Sequence, residues 1–189
     1  PIDAAGAGGL YDAFATLPPV MQRLHQPGPV AHWQGRAQVT RGKGRLAGVV
    51  AALFGFPEGG QDVPVSVRFR TDAAGVETWQ RNFAGRIMVS TQEAGQGRFA
   101  HLIVERFGPF AFGLALVLRE GRLYVIPRRW AFFGLPMPRA LMPRGESYEA
   151  EVAGTFRFHV EITLPLIGPV VRYEGALQQV QTAEPTVNG

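Results

Sequence analysis

The sequence predicts an α+β fold, a strongly curved antiparallel sheet of about nine strands, bent into a half-open barrel around one or two short helices. Three observations predict it. From Val63 onward, apolar and polar residues alternate with the period of a strand. Turn signals punctuate that alternation, DAAG at 72–75 and EG at 120–121. Ahead of it lies a segment, 44–57, whose apolar residues recur with the period of a helix.

Taken in order, residues 1–9 are rich in Gly and Ala and form a flexible lead. In LYDAFATLPPVMQRLH, Leu10, Phe14, Leu17, Met21 and Leu24 mark one face of a helix. Pro18 and Pro19 interrupt it. Proline is tolerated only in a first helical turn, so two short helices or one sharp kink are expected. AHWQGRAQVTRG (31–42) reads as a strand. In GRLAGVVAALFGFP (44–57), Leu46, Val49, Val50, Leu53 and Phe54 make a bulky face, opposite Ala47, Gly48, Ala51 and Ala52. A helix sandwiched by protein and filling the concave side of the sheet would use both faces.

The strands that follow are expected at 63–70, then through Trp79 to Phe83 as a hairpin, and at 85–92, 98–107, 110–119 and 121–130. Phe110 to Leu118 is apolar on both faces, as in a strand covered on both sides. After a proline-rich interruption come SYEAEVAG, TFRFHVEITLPL and GPVVRYEGALQQV. In the second, Phe156, Phe158, Val160, Ile162 and Leu164 alternate with Arg157, His159, Glu161 and Thr163. Residues 10–180 thus form a single domain, and 181–189 read as a disordered tail.

Composition excludes several functions. No cysteine is present, so disulfides, thiolate chemistry and iron–sulfur ligation are absent. Of 19 cationic residues only Lys43 is lysine; the arginines scatter from Arg23 to Arg172 among acidic residues, with no stripe of the kind nucleic-acid binders show. No apolar run is long enough for a membrane-spanning helix. The chain starts at Pro1 without a basic-then-apolar leader, and a cytoplasmic location is expected.

The quoted segments RFGPFAFGLALVLREGRLYV, RRWAFFGLPMPRALMPR and FRFHVEITLPLIGPVVRYEGAL, with the opening segments, resemble the bacterial family described as domain of unknown function 4166. The resemblance covers about residues 10 to 180. It implies an accessory role beside an oxidoreductase, because members occur alone or fused behind nucleotide-binding, saccharopine-dehydrogenase-like or short-chain-reductase-like domains. The motifs are structural, and no family site is carried over.

Catalytic chemistry has few candidates. His101 and Glu105 share a strand face by parity, as do His159 and Glu161. On neighbouring strands the four would form one polar cluster able to move a proton; the other reading is a solvated outer face. There is no HExxH or close His pair for a metal, no GxSxG, and no phosphate-cradle spacing; TRGKGRLAG only faintly resembles an anion-binding helix start. No cofactor is expected. The segment 128–145, RRWAFFGLPMPRALMPRG, carries Trp130, Phe132, Phe133, Met137 and Met142 between arginines. It reads as a structural cap on the barrel mouth, as a lid over a ligand, or as an interfacial anchor. Together with Trp33 and Phe54, these residues are the expected contacts of an apolar ligand. The leading expectation is a non-catalytic module that holds an apolar or lipid-like molecule between sheet and helix. The alternatives are an interaction domain of an oxidoreductase and an enzyme using the His/Glu cluster.

Overall fold

The structure is a computed structural model that describes residues 16–25 and 30–180. The helical positions Leu10 and Phe14, the lead 1–9 and the tail 181–189 lie outside the described residues.

Helix α1 (Pro19–His25) begins at Pro19, where a missing N–H costs nothing. Its Val20, Met21 and Leu24 are buried. β1 (Val30–Arg41) leads to α2 (Arg45–Leu53). Then follow β2 (Gly60–Thr71), β3 (Glu77–Phe83), β4 (Arg86–Ala94), β5 (Ile103–Phe107), β6 (Phe110–Arg119) and β7 (Arg122–Phe132). A two-residue strand β8 (Leu135–Pro136) folds back on β7. β9 (Ser147–Val152), β10 (Thr155–Leu164) and β11 (Gly168–Gln179) complete the chain.

All pairings are antiparallel. β1 to β7 pair in sequence, β7 pairs β9, β9 pairs β10, β10 pairs β11, and β11 returns to β1. The sheet is therefore a closed barrel of ten strands, not the half-open sheet of about nine expected from the sequence. Closure depends on two junctions with no local signature. One is β1 with β11, from Trp33↔Gln179 to Arg41↔Val171. The other is β7 with β9, a short seam confined to Arg122–Tyr124 against Tyr148–Ala150.

Hairpin turns follow the expected chemistry. Glu120–Gly121 and Ala153–Gly154 each place two successive residues at positive φ, the two-residue turn that suits strand twist. At 72–75 the Asp72 carboxylate accepts from the N–H groups of Ala74 and Val76, 2.9 Å each. Where β1 and β11 cross, the inner face is stripped of side chains. A Cβ on Gly35 would stand 1.8 Å from the Ala176 carbonyl oxygen, and one on Gly175 2.2 Å from that of Arg36. Two glycines let the wall coil sharply there.

Two expectations about packing need correction. α2 does not fill the barrel. It lies at one end, buries only Ala47 and Ala51, and turns Leu46, Val49 and Leu53 outward. Its small face packs because alanines permit close approach, and Gly42 beside it comes within reach of Pro169 and Ala47. The strand expected at 98–107 begins only at Ile103. Residues Gly97–Phe99 form a 3-10 turn whose Phe99, with Leu102, lies over Gly113 and Ala111 on the outside of β6. That turn covers one half of β6, while Val117 near its far end stays exposed.

Candidate functional site

Side chains alternate across the barrel wall, so every second residue points inward. Val65, Val67 and Phe69 of β2, Leu114 and Leu116 of β6, and Phe156, Phe158 and Val160 of β10 face one interior. β7 keeps the same inner face along its length only through a bulge. Leu114 pairs Pro127 but Gly113 pairs Arg129, so Arg128 is the extra residue. The bulge brings Trp130 onto the face already held by Leu123 and Val125. The inward set leaves a cavity of about 250 Å³, mostly apolar in its lining.

Its polar lining includes two groups of paired side chains. Arg81 on β3 stands between Trp79 and Phe83 on the inner face. Its Nη1 donates to Ser90 Oγ at 2.8 Å, and its Nη2 donates to Glu105 Oε1 at 3.0 Å. The Ser90 hydroxyl donates to the same Glu105 oxygen at 2.7 Å. The Arg81 and Glu105 side chains are 15% and 14% exposed, so the pair has largely lost water. Tyr173, from β11, is buried beside them. Burial pushes its phenol up to about 12; Arg81 pulls it down and Glu105 pushes it further up. Its hydroxyl keeps its proton at any physiological pH. The group thus offers a fixed set of donors and acceptors inside an apolar space.

A second polar group sits where α1 closes the barrel. His25 Nε2 contacts the Glu149 carboxylate of β9, and Trp79 Nε1 donates to Glu77 Oε2 at 3.1 Å. Burial alone would lower the His25 pKa. The charge of Glu149, its hydrogen bond and the nearby Glu77 outweigh burial, and the imidazole sits above its ordinary value.

The mouth of the cavity lies beside the short β7–β9 seam. Past Tyr124 and Tyr148 the two strands separate. Pro143, Arg144 and Gly145 run across the gap and line the cavity. Arg144 exchanges two backbone hydrogen bonds with Thr163, 2.8 and 2.7 Å. Trp130, 8% exposed, donates its Nε1–H to the Pro138 carbonyl at 2.9 Å and holds the start of this strap.

The expected ligand contacts therefore separate. Phe54 reaches the cavity, stacked with Phe56 and tilted against Phe110. Trp130 supports the strap. Met137 and Met142 are half-buried within it, off the cavity lining. Phe132 shares the face of Trp130 at the barrel rim, its ring 4.9 Å from that of Phe110, but is off the cavity lining, and Phe133 is 73% exposed. Trp33 is a core residue packed on Phe156, away from the cavity.

The four-residue cluster does not form. β5 and β10 are not neighbours in the barrel. His101 sits in an exposed bend at φ 64°, Glu105 points inward to Arg81, and Glu161 borders the mouth. His159 alternates with the inward Phe158 and Val160 yet is buried and borders the cavity, stacked on Tyr148 with ring centroids 5.0 Å apart, and its Nδ1 is 3.0 Å from Glu174. The parity argument failed because the 3-10 turn breaks the strand on which it placed His101. Among the described residues no three His, Asp or Glu side chains gather as a metal site.

The interior polar residues Arg81, Ser90 and Tyr173 had a sequence signal that went unused. Each occupies the apolar phase of an alternating strand: Arg81 between Trp79 and Phe83, Ser90 two after Met88, Tyr173 two after Val171. His25 and Glu149 meet across 124 positions of chain, which no local pattern reveals.

A family model described as Domain of unknown function (DUF4166) matches residues 17–177. No curated protein and no solved structure matches the chain.

Proposed function

The chain belongs to the domain of unknown function 4166 family, and on the geometry of its interior we propose that it is a non-catalytic binding module for an apolar or lipid-like small molecule. One observation carries the reading: an apolar cavity of about 250 Å³ whose polar lining includes the Arg81–Glu105 pair, with the buried Ser90 bridging the two. Such a space suits a molecule with a hydrocarbon body and one polar end. Ligand pockets run from roughly 300 to 1,000 Å³, so the size favours a single medium-length chain or short isoprenoid over a two-chain lipid. The reading as an accessory domain of an oxidoreductase gains no residue from this geometry. The enzyme reading loses its His/Glu cluster.

The test is a thermal-shift and native mass-spectrometry screen of delipidated protein against fatty acids and isoprenoid alcohols. A ligand present at a hundredfold its Kd adds about 2.7 kcal/mol, roughly 5–10 °C in Tm for a chain of this size. Leu116→Trp, which projects into the cavity, should abolish that shift while the fold survives. No stabilisation and no retained mass across the panel would overturn the proposal.

A further inference from the structure

In an antiparallel barrel alternate connections emerge at the same end. The β1–β2, β3–β4, β5–β6, β7–β9 and β10–β11 connections share one end, which holds α2. α1 and the remaining hairpins hold the other. Large exposed apolar side chains are divided unequally between them. Leu46, Val49 and Leu53 of α2, Phe133 and Leu135 beyond β7, and Leu166 between β10 and β11 all lie at the α2 end. At the α1 end, among the described residues, only Val30 and Val152 compare. The outward faces of the wall differ again. β1 shows His32, Gln34, Arg36 and Gln38, and β11 shows Arg172, Glu174 and Gln178. On these two strands that is the inverse of the apolar band by which a membrane-spanning barrel meets lipid, while β4 exposes Ile87 and Val89.

Folding does not account for this rim. Phe133 and Leu166 have φ of 48° and 68°, the left-handed region that glycine enters without cost. They are 73% and 97% exposed, so neither gains burial in return. A chain selected for the stability of these turns alone would place Gly or Asn there. The same end carries more cations than anions, with Glu58, Asp62 and Glu146 among its exposed acids. Lys43 and Arg45 flank the start of α2, and Arg128, Arg139 and Arg144 border the strap; all are exposed. Among the described residues none of the five has an ion-pair partner, whereas Arg86 nearby is held by Glu58.

We propose that the α2 end of the barrel seats on an anionic lipid bilayer, with Leu53, Phe133 and Leu166 entering the headgroup layer and the unpaired cations meeting lipid phosphates. Apolar tips alone would suit many partners. Apolar tips ringed by unpaired cations match an anionic interface. The proposal stands independently of any ligand in the cavity.

The experiment is flotation of the full chain with phosphatidylcholine vesicles made with or without phosphatidylglycerol, at low and high salt. The chain is expected to float with the anionic vesicles, much less with the neutral ones, and less as salt rises. Leu53→Ser/Phe133→Gly/Leu166→Gly should weaken binding by at least about tenfold while Tm holds or rises. Lys43→Ala and Arg45→Ala should each cost up to roughly fivefold. Val30→Ser/Val152→Ser, at the other end, should change nothing. Leu116→Trp should float like the parent chain, so vesicle binding and ligand binding fail separately. No flotation, equal flotation with neutral vesicles, or undiminished binding by the triple glycine–serine variant would each overturn the proposal. So would a concentration-dependent dimer that this variant abolishes in the absence of vesicle binding, which would assign the rim to a protein contact.

Discussion

Replacing Glu105 with leucine tests whether the polar group inside the barrel is stabilising or merely tolerated. Arg81 and Glu105 are each about 85% removed from solvent and joined directly at 3.0 Å, with Ser90 bridging them. Glu105→Leu leaves a guanidinium that cannot give up its proton facing an apolar cavity. Removing one partner of such a pair costs about 3–5 kcal/mol. The partial exposure of both groups to the cavity places the expectation near the lower figure, about 3 kcal/mol. Arg81→Met in the same chain removes the stranded charge, and the double variant should recover most of the loss. Coupling between the two sites should then reach at least about 2 kcal/mol. Urea unfolding of the four proteins of the cycle, followed by tryptophan fluorescence, gives the numbers directly. A Glu105→Leu cost under about 1 kcal/mol, or costs that simply add, would show the guanidinium to be hydrated where it stands. If the double variant is as stable as the parent yet takes up no ligand, the charges serve recognition and not folding.

Three further outcomes follow from individual contacts. Because the folded pKa of His25 is raised, its stabilisation is complete below the ordinary imidazole value of about 6.5 and is lost as pH rises through the folded value. Stability of the parent relative to His25→Gln should therefore shrink as pH rises above about 6.5, and a constant difference would refute the pairing with Glu149. Gly35→Ala sets a Cβ against the Ala176 carbonyl, and a loss of about 2–3 kcal/mol in urea unfolding is expected; a neutral result would mean the β1–β11 crossing is looser than described. Trp130→Phe keeps the ring but removes the bond to Pro138. It should cost about 1 kcal/mol and speed proteolytic cutting within 137–147, whereas unchanged cutting would show the strap to be held by other contacts.

Much of the architecture could be read from residues near one another in the chain. Alternation in 155–164 names the inward face of β10, and Glu120–Gly121 marks the β6–β7 hairpin. Helix α2 shows where such reading stops. Periodicity reveals that it has a bulky face and a small face, but not which one meets the protein. The expectation that both faces are covered holds only in part: Val50 and Phe54 pack against the core, Leu46, Val49 and Leu53 stay exposed, and Ala47 and Ala51 bring the helix close to the barrel end. Closure was invisible for a different reason: β1–β11 and β7–β9 join segments whose patterns carry no sign of each other. The site divided similarly. Phe54 was identified from its helical phase, while Trp33, equally aromatic, turned out to be core. Arg81 was overlooked because an arginine in a strand is read by default as outward, although its two apolar flanks at Trp79 and Phe83 fixed the opposite direction.

The pairing of the first strand with the last has a consequence for synthesis. As the chain leaves the ribosome, β1 can pair β2 once residues 42–59, with α2, have emerged, yet its other side stays bare until β11 follows. Every strand from β2 to β10 must wait beside that unsatisfied edge, so the nascent domain cannot become fully protected in stages. The pairing of Trp33–Arg41 with Val171–Gln179 has to wait for the end of that stretch of synthesis, and until then the bare edge of β1 is open to pairing with other chains.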